Sequence, residues 1–181
     1  MLDEYNGSES NILSVAHNQG ILKHFLFFDR SRPHEIINNI RWFNDIRFLI
    51  HDASYKRYYT YRLFVNTYFP HRTKTTLLYC FNGKEIKAKN QQIEIDLTIE
   101  YDRTICIFEA KNGTPKDFNV CQIYHPFLYY YNSGLKIKQI KCVYLVHNKD
   151  SLKLWLYTFN DPLHLDSIQF LKSCEYFLVR K

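Results

Sequence analysis

The sequence predicts an α/β (α+β) fold with a mixed central β-sheet flanked by helices, on three observations. Ile12, Val15, Ala16, Ile21, Leu22, Phe25 and Leu26 recur at near-helical spacing early in the chain. Ile93, Ile95, Leu97 and Ile99 then alternate with Glu94, Asp96, Thr98 and Glu100, the two-residue period of a half-buried strand. A second helical pattern follows at Val120, Ile123, Tyr124, Phe127 and Leu128, and apolar strand runs come after it. Helices and strands thus interleave along one chain.

In order along the chain, Ser8, Glu9, Ser10 and Asn11 are N-cap candidates for a helix through about Phe28, with Gly20 as its weak point. Asp29 to Pro33 breaks the pattern, and His34 to Leu49 predicts a second helix, although its β-branched residues count against it. From Tyr55 to Thr76, lysines and arginines interleave with tyrosines and phenylalanines. Cations for phosphates and rings for stacking fit nucleic-acid contact. A solvated strand with its aromatics in the core reads the same way. Leu77 to Phe81 predicts a strand and Asn82-Gly83 a tight turn, and Lys84 to Lys89 leads into the alternating run.

Ile93 to Lys111 reads as two strands joined by a turn at Tyr101 to Thr104, with one aliphatic and one acidic face. Asp117 is the expected N-cap of the next helix, Pro126 should kink or split that helix, and Gly134 should close it. Ile137 to His147 and Leu152 to Phe159 predict a strand pair around a turn at Asn148 to Ser151. Ser167 to Leu171 and Tyr176 to Val179 predict short closing strands.

With 181 residues the chain is long enough for one domain with a proper core. Its net charge of +6 favours a polyanionic partner. The five cysteines are scattered and never in CxxC spacing, which argues against a disulfide framework or structural zinc and suits a reducing, cytoplasmic compartment. The opening MLDEYNGSES does not read as a signal peptide, and no apolar run approaches the roughly 20 residues of a membrane span. Nucleotide-binding glycine motifs and paired metal-binding histidines are absent. Trp42 and Trp155 sit in apolar periodic runs and read as core.

The chemistry concentrates between Ile93 and Lys111. Glu109 and Lys111 are two apart and share a strand face. If the two strands pair, Asp96, Glu109 and Lys111 converge at one end of the sheet. Magnesium takes oxygen ligands, often one or two carboxylates with waters completing the octahedron. Asp96 and Glu109 fit as those ligands, with the carbonyl of Ala110 as a possible third. Lys111 can orient an attacking water or neutralise charge developing on phosphorus. Glu94 could hold a second ion or Lys111, and Gln122, at the start of the following helix, could order the site or touch DNA. The same pattern would also suit a solvated edge with cross-strand ion pairs.

Asp96 followed by Glu109-Ala110-Lys111 resembles the PD-(D/E)xK nuclease motif. QIEID (Gln92 to Asp96), FEAKN (Phe108 to Asn112), DFNVCQIYHPF (Asp117 to Phe127) and FNDP (Phe159 to Pro162) resemble a group of type II restriction endonucleases, as does SESNILSVAHNQGILKHFL near the start. The residue before Asp96 is Ile95 where the motif name has proline. The resemblance implies a restriction-endonuclease-like core and sequence-specific cleavage of double-stranded DNA with Mg²⁺, for which Mn²⁺ can substitute. It casts Asp96 and Glu109 as metal ligands and Lys111 as the catalytic lysine, with Glu94 and Gln122 at accompanying positions. Residues 1–54 would be an N-terminal helical region and 55–181 the nuclease core, in one compact domain overall. Arg57, Arg62, Arg72 and Lys74 are the candidate DNA contacts within the basic stretch between Lys56 and Lys89. Such enzymes usually exceed this length, which implies a homodimer, a partner subunit or a reduced form of the enzyme. The motif also fits a structure-specific or repair nuclease of junction-resolvase type. A DNA-binding or assembly subunit that does not cut is the reading from another class.

Overall fold

Asp96 is where one β-system ends and another begins. Before it, β3 (His71–Phe81) and β4 (Lys84–Ile95) form a two-stranded antiparallel ribbon of their own. After it, β5 (Leu97–Tyr101) joins a seven-stranded sheet with β1 (Asp45–Asp52), β2 (Arg57–Tyr68), β6 (Thr104–Asn112), β7 (Gln139–Asn148), β8 (Ser151–Phe159) and β9 (Ile168–Phe177). The order across this sheet is β1-β2-β5-β6-β7-β8-β9. The computed structural model describes residues 8–27, 45–52, 57–68, 70–149 and 151–177, and the side chains of 45–52 and 57–64 lie outside that description.

The sheet is mixed because β6 and β7 run parallel while every other neighbouring pair is antiparallel. A parallel pair needs a crossover. Here it is α3 (Cys121–Tyr131), which packs on one face of the sheet. Helices α1 (Glu9–Asn18) and α2 (Ile21–Phe27) pack on the other. The expected mixed sheet flanked by helices is therefore present.

The N-terminal helical pattern forms two helices because Gly20 takes a left-handed φ of 74° between them. Ser8 caps α1, its hydroxyl accepting from the Asn11 amide. The helix expected over His34 to Leu49 is not what forms at its end. Residues 28–44, including Trp42, lie outside the described residues, while Asp45–Asp52 is strand β1, paired along its length with β2. Stiff β-branched side chains and a ready pairing partner outweigh the helical spacing there.

Asn82 (φ 49°) and Gly83 (φ 71°) make the tight turn between β3 and β4. Asp102 and Arg103, also left-handed, make the turn between β5 and β6. Within the ribbon a bulge at Asn90 (φ 51°) rephases β4. Ile86 and Ala88 face the body before it, and Ile93 and Ile95 after it.

Ile93, Ile95, Leu97 and Ile99 do not form a single face, contrary to the alternation. The bend at Asp96 sends Ile93 and Ile95 into the core under α3, and Leu97 and Ile99 into the core under α1 and α2. All four are buried, as are Cys106 and Phe108 behind them. Leu97 packs between the sheet and the N-terminal helices. Leu97→Ala should therefore cost about 2–5 kcal/mol, read as a lower urea midpoint with an unchanged slope.

Three further expectations shift. The start of α3 is capped by Asn119, which accepts from the Cys121 amide, rather than by Asp117. Pro126 does not split α3, which runs through it. Burial of Ile123, Tyr124, Phe127 and Leu128 outweighs the one helical bond that proline withholds, the one that the Gln122 carbonyl would accept. Tyr131 ends the helix with Asn132 as C-cap, and Gly134 follows at a φ of 71°. The two short closing strands are one, β9, since pairing with β8, shifted in register once between Leu156 and Tyr157, carries it across the polar residues between them, and residues 178–179 lie outside the described residues. Trp155 is half-buried on β8.

Candidate functional site

Backbone pairing sets the site. In β6, Ile105, Ile107, Glu109 and Lys111 alternate toward the α3 side, and Cys106, Phe108 and Ala110 toward α1 and α2. Pairing with β5 ends at Leu97 opposite Phe108. Two residues further along β6, the Ala110 amide has no β5 strand to meet, and Asp96 Oδ2 accepts its hydrogen at 3.0 Å. The bend that separates the two β-systems thus pins Asp96 against β6 beside Glu109. In a strand the N–H and C=O of one residue point to the same edge, so the Ala110 carbonyl is aimed at that gap as well.

Asp96 and Glu109 are buried, at 8% and 6% exposure. Lys111 Nζ donates to Glu109 Oε1 at 2.6 Å and to Glu9 Oε1 at 3.2 Å. Asp96, Glu109, Lys111, Glu94 and Gln122 all line one cavity of about 460 Å³, together with Glu9 and His125. The cavity lies between the end of β4, the first turns of α3 and the start of α1.

Charge in this cavity is out of balance. Burial pushes the Asp96 carboxyl above its ordinary range, against the opposing hydrogen bond from Ala110. Burial, opposed by the Lys111 hydrogen bond and reinforced by the nearby Asp96 charge, pushes Glu109 up to about 7. Burial also works against the Lys111 ammonium, but its pairing with Glu109 and Glu9 overcomes this and holds it above the usual lysine range. One ammonium therefore serves three carboxylates, and a further cation would relieve the strain on Asp96 and Glu109.

Among the described residues no three His, Cys, Asp or Glu side chains are grouped to hold a metal ion by themselves. A two-carboxylate site with a carbonyl and room for waters still meets the demands of Mg²⁺, which keeps much of its hydration. The donor set of Asp96, Glu109 and the Ala110 carbonyl fits that ion.

The remaining candidates divide. Gln122, on the first turn of α3, faces the cavity as expected. Glu94 also lines it, but is half-exposed and held by Arg72, whose Nε donates at 2.9 Å. It does not hold Lys111, because it alternates with buried Ile93 and Ile95 and turns to Arg72 on the exposed face of the ribbon. Arg72 and Lys74 are exposed on β3. Arg57 and Arg62 fall on β2, where only the backbone is described. Glu9 is the residue that sequence reasoning missed as a site member. It looked like one more N-cap candidate, and nothing local marks it as the partner of a lysine a hundred positions away.

A family model described as a domain of unknown function, DUF6997, matches residues 2–177. No curated protein and no solved structure matches the chain.

Proposed function

We propose that this chain, which belongs to the DUF6997 family, is a Mg²⁺-dependent endodeoxyribonuclease of restriction type with a PD-(D/E)xK-like core. The single observation that carries the reading is the juxtaposition of buried Asp96 and Glu109 with Lys111 at the mouth of an open cavity. Asp96, Glu109 and the Ala110 carbonyl would hold the ion. Bound Mg²⁺ (or Mn²⁺) supplies Lewis-acid polarisation of the phosphodiester and a source of hydroxide at neutral pH.

The side chains do the rest. Glu109 fixes the Lys111 ammonium at the cavity, where the one hydrogen not given to Glu109 or Glu9 can orient the attacking water or meet the charge that grows on the non-bridging oxygens. Glu9 holds the same ammonium from α1, so it acts as a positioning residue. Gln122 can donate from its amide to the phosphate. The substrate on this reading is double-stranded DNA in the cytoplasm, cut by a homodimer or by the chain with a partner subunit.

The test is incubation of the purified chain with plasmid and Mg²⁺, beside an EDTA control. Discrete bands that EDTA suppresses support restriction-type cutting. Cutting confined to junction substrates would assign the site to a structure-specific nuclease, and no cutting of any DNA with Mg²⁺ or Mn²⁺ would overturn the proposal. Glu9→Gln should lower kcat by about 10–100-fold, the usual effect of losing a group that orients a catalytic one. KM should stay within about twofold, since the group removed orients the lysine and does not bind substrate.

A further inference from the structure

The ribbon of β3 and β4 has two unlike faces. Leu77, Tyr79, Ile86, Ala88, Ile93 and Ile95 pack against the body beneath α3. The Cys80 amide donates to the Leu163 carbonyl and ties the far end of β3 down as well. The opposite face is open. It carries Arg72, Lys74, Leu78, Lys87, Lys89 and Gln92, all exposed. Glu94 on that face is held by Arg72, and Glu85 lies near the tip. Lys74, Lys87 and Lys89 make no ion pair among the described residues and lie on both strands of the ribbon. Leu78, opposite Lys87, stays 58% exposed although it is aliphatic and central.

We propose that this face is the surface that reads duplex DNA, lying in the major groove. The proposal takes its partner from the nuclease reading above and adds where that partner is recognised. Charge complementarity selects a polyanion. Shape selects the groove, because a two-stranded ribbon fits the width of the major groove and not that of the minor groove. At about 3.3 Å per residue the ribbon is ~35 Å long, roughly one turn of the duplex. Its side chains suit base edges, since lysine can meet guanine, glutamine can meet adenine, and an aliphatic group can meet the thymine methyl. The root of the ribbon is Gln92 and Glu94, which also line the cavity, and Asp96 follows directly. A duplex seated on the ribbon therefore presents a phosphate to the site. The docked inner face holds the ribbon in one conformation, so little ordering cost falls on binding.

The test uses the full chain with Asp96→Asn, so that DNA is not consumed, and a fluorescent pool of short duplexes of randomised sequence. Lys74→Ala/Lys87→Ala/Lys89→Ala should weaken binding by at least about tenfold. It should also lower the slope of log affinity against log salt, by about 1 for each of these lysines that meets a phosphate rather than a base edge. Lys136→Ala/Lys138→Ala, between α3 and β7 and away from the ribbon, should change affinity by less than about twofold. Selection from the same pool should enrich a motif that Leu78→Ala relaxes at discrete positions. Unchanged affinity in the triple variant, a motif untouched by both ribbon variants, or tighter binding to single strands than to duplex would each overturn the assignment. The two readings fail separately. Plasmid left intact by the unaltered chain, with the triple variant still losing duplex binding, removes the nuclease and keeps the ribbon. Plasmid cut equally by the unaltered chain and the triple variant does the reverse.

Discussion

Asp96→Asn should reduce plasmid cleavage in Mg²⁺ by about 10²–10³-fold, the scale of losing one preorganised charge-stabilising group, while duplex binding stays within a few-fold of the parent. The substitution is close to isosteric. Its amide oxygen can still accept from the Ala110 N–H, so the bend between the ribbon and the sheet is kept. What disappears is the negative charge that would hold the cation. Lys111→Ala should match this loss by a different route, because on the proposed reading it removes the donor that would meet the phosphate, and it leaves Glu109 and Glu9 without their shared partner. That variant should also bind Mg²⁺ no more weakly than the parent, since a competing cation has gone. Variants that both cut at the parental rate would show that the chemistry lies elsewhere.

The second large effect is a reversed pH dependence of stability in the metal-free protein. Burial raises the folded-state pKa of Glu109 from 4.5 to about 7. Between those values the folded chain holds a proton that the unfolded chain has released. The contribution of Glu109 is therefore fully present at pH 4.5 and is lost as pH rises through 7. The span corresponds to a loss on the order of 3 kcal/mol. Asp96 shifts in the same direction for the same first cause. Urea melts in EDTA at stepped pH should show this decline in the parent and not in Glu109→Gln, and the difference between the two is the quantity to read. The ionised carboxylates are the form that a cation prefers, so the stabilisation given by Mg²⁺ should grow from about pH 5 to about pH 8. A parent and a Glu109→Gln variant with parallel pH profiles would mean that Glu109 titrates as an ordinary surface acid.

Both predictions rest on residues whose meeting was legible in part. The Glu109-x-Lys111 spacing fixes a shared strand face, because side chains of a strand repeat every two residues, and the structure keeps that face. The turn at Asn82-Gly83 and the caps near Ser8 were legible for similar local reasons. By contrast, the split at Asp96 is invisible in the alternation. A bend costs little in pattern, yet it redirects Ile93 and Ile95 to one core and Leu97 and Ile99 to another. The strand at Asp45–Asp52 was hidden because its pairing partner β2, not its own spacing, decides its conformation.

The sequence by itself determined the α+β composition, the acidic pair with its lysine, and the helix that brings Gln122 behind them. These follow from periodicities and short-range chemistry, which a chain carries locally. Only the tertiary structure decided that Glu9 completes the lysine's environment, that Arg72 claims Glu94, and that the basic residues of β3 and β4 share one open ribbon face. Those facts depend on which distant segments pack together. The burial of apolar surface across the whole chain selects that packing, and no single stretch encodes it.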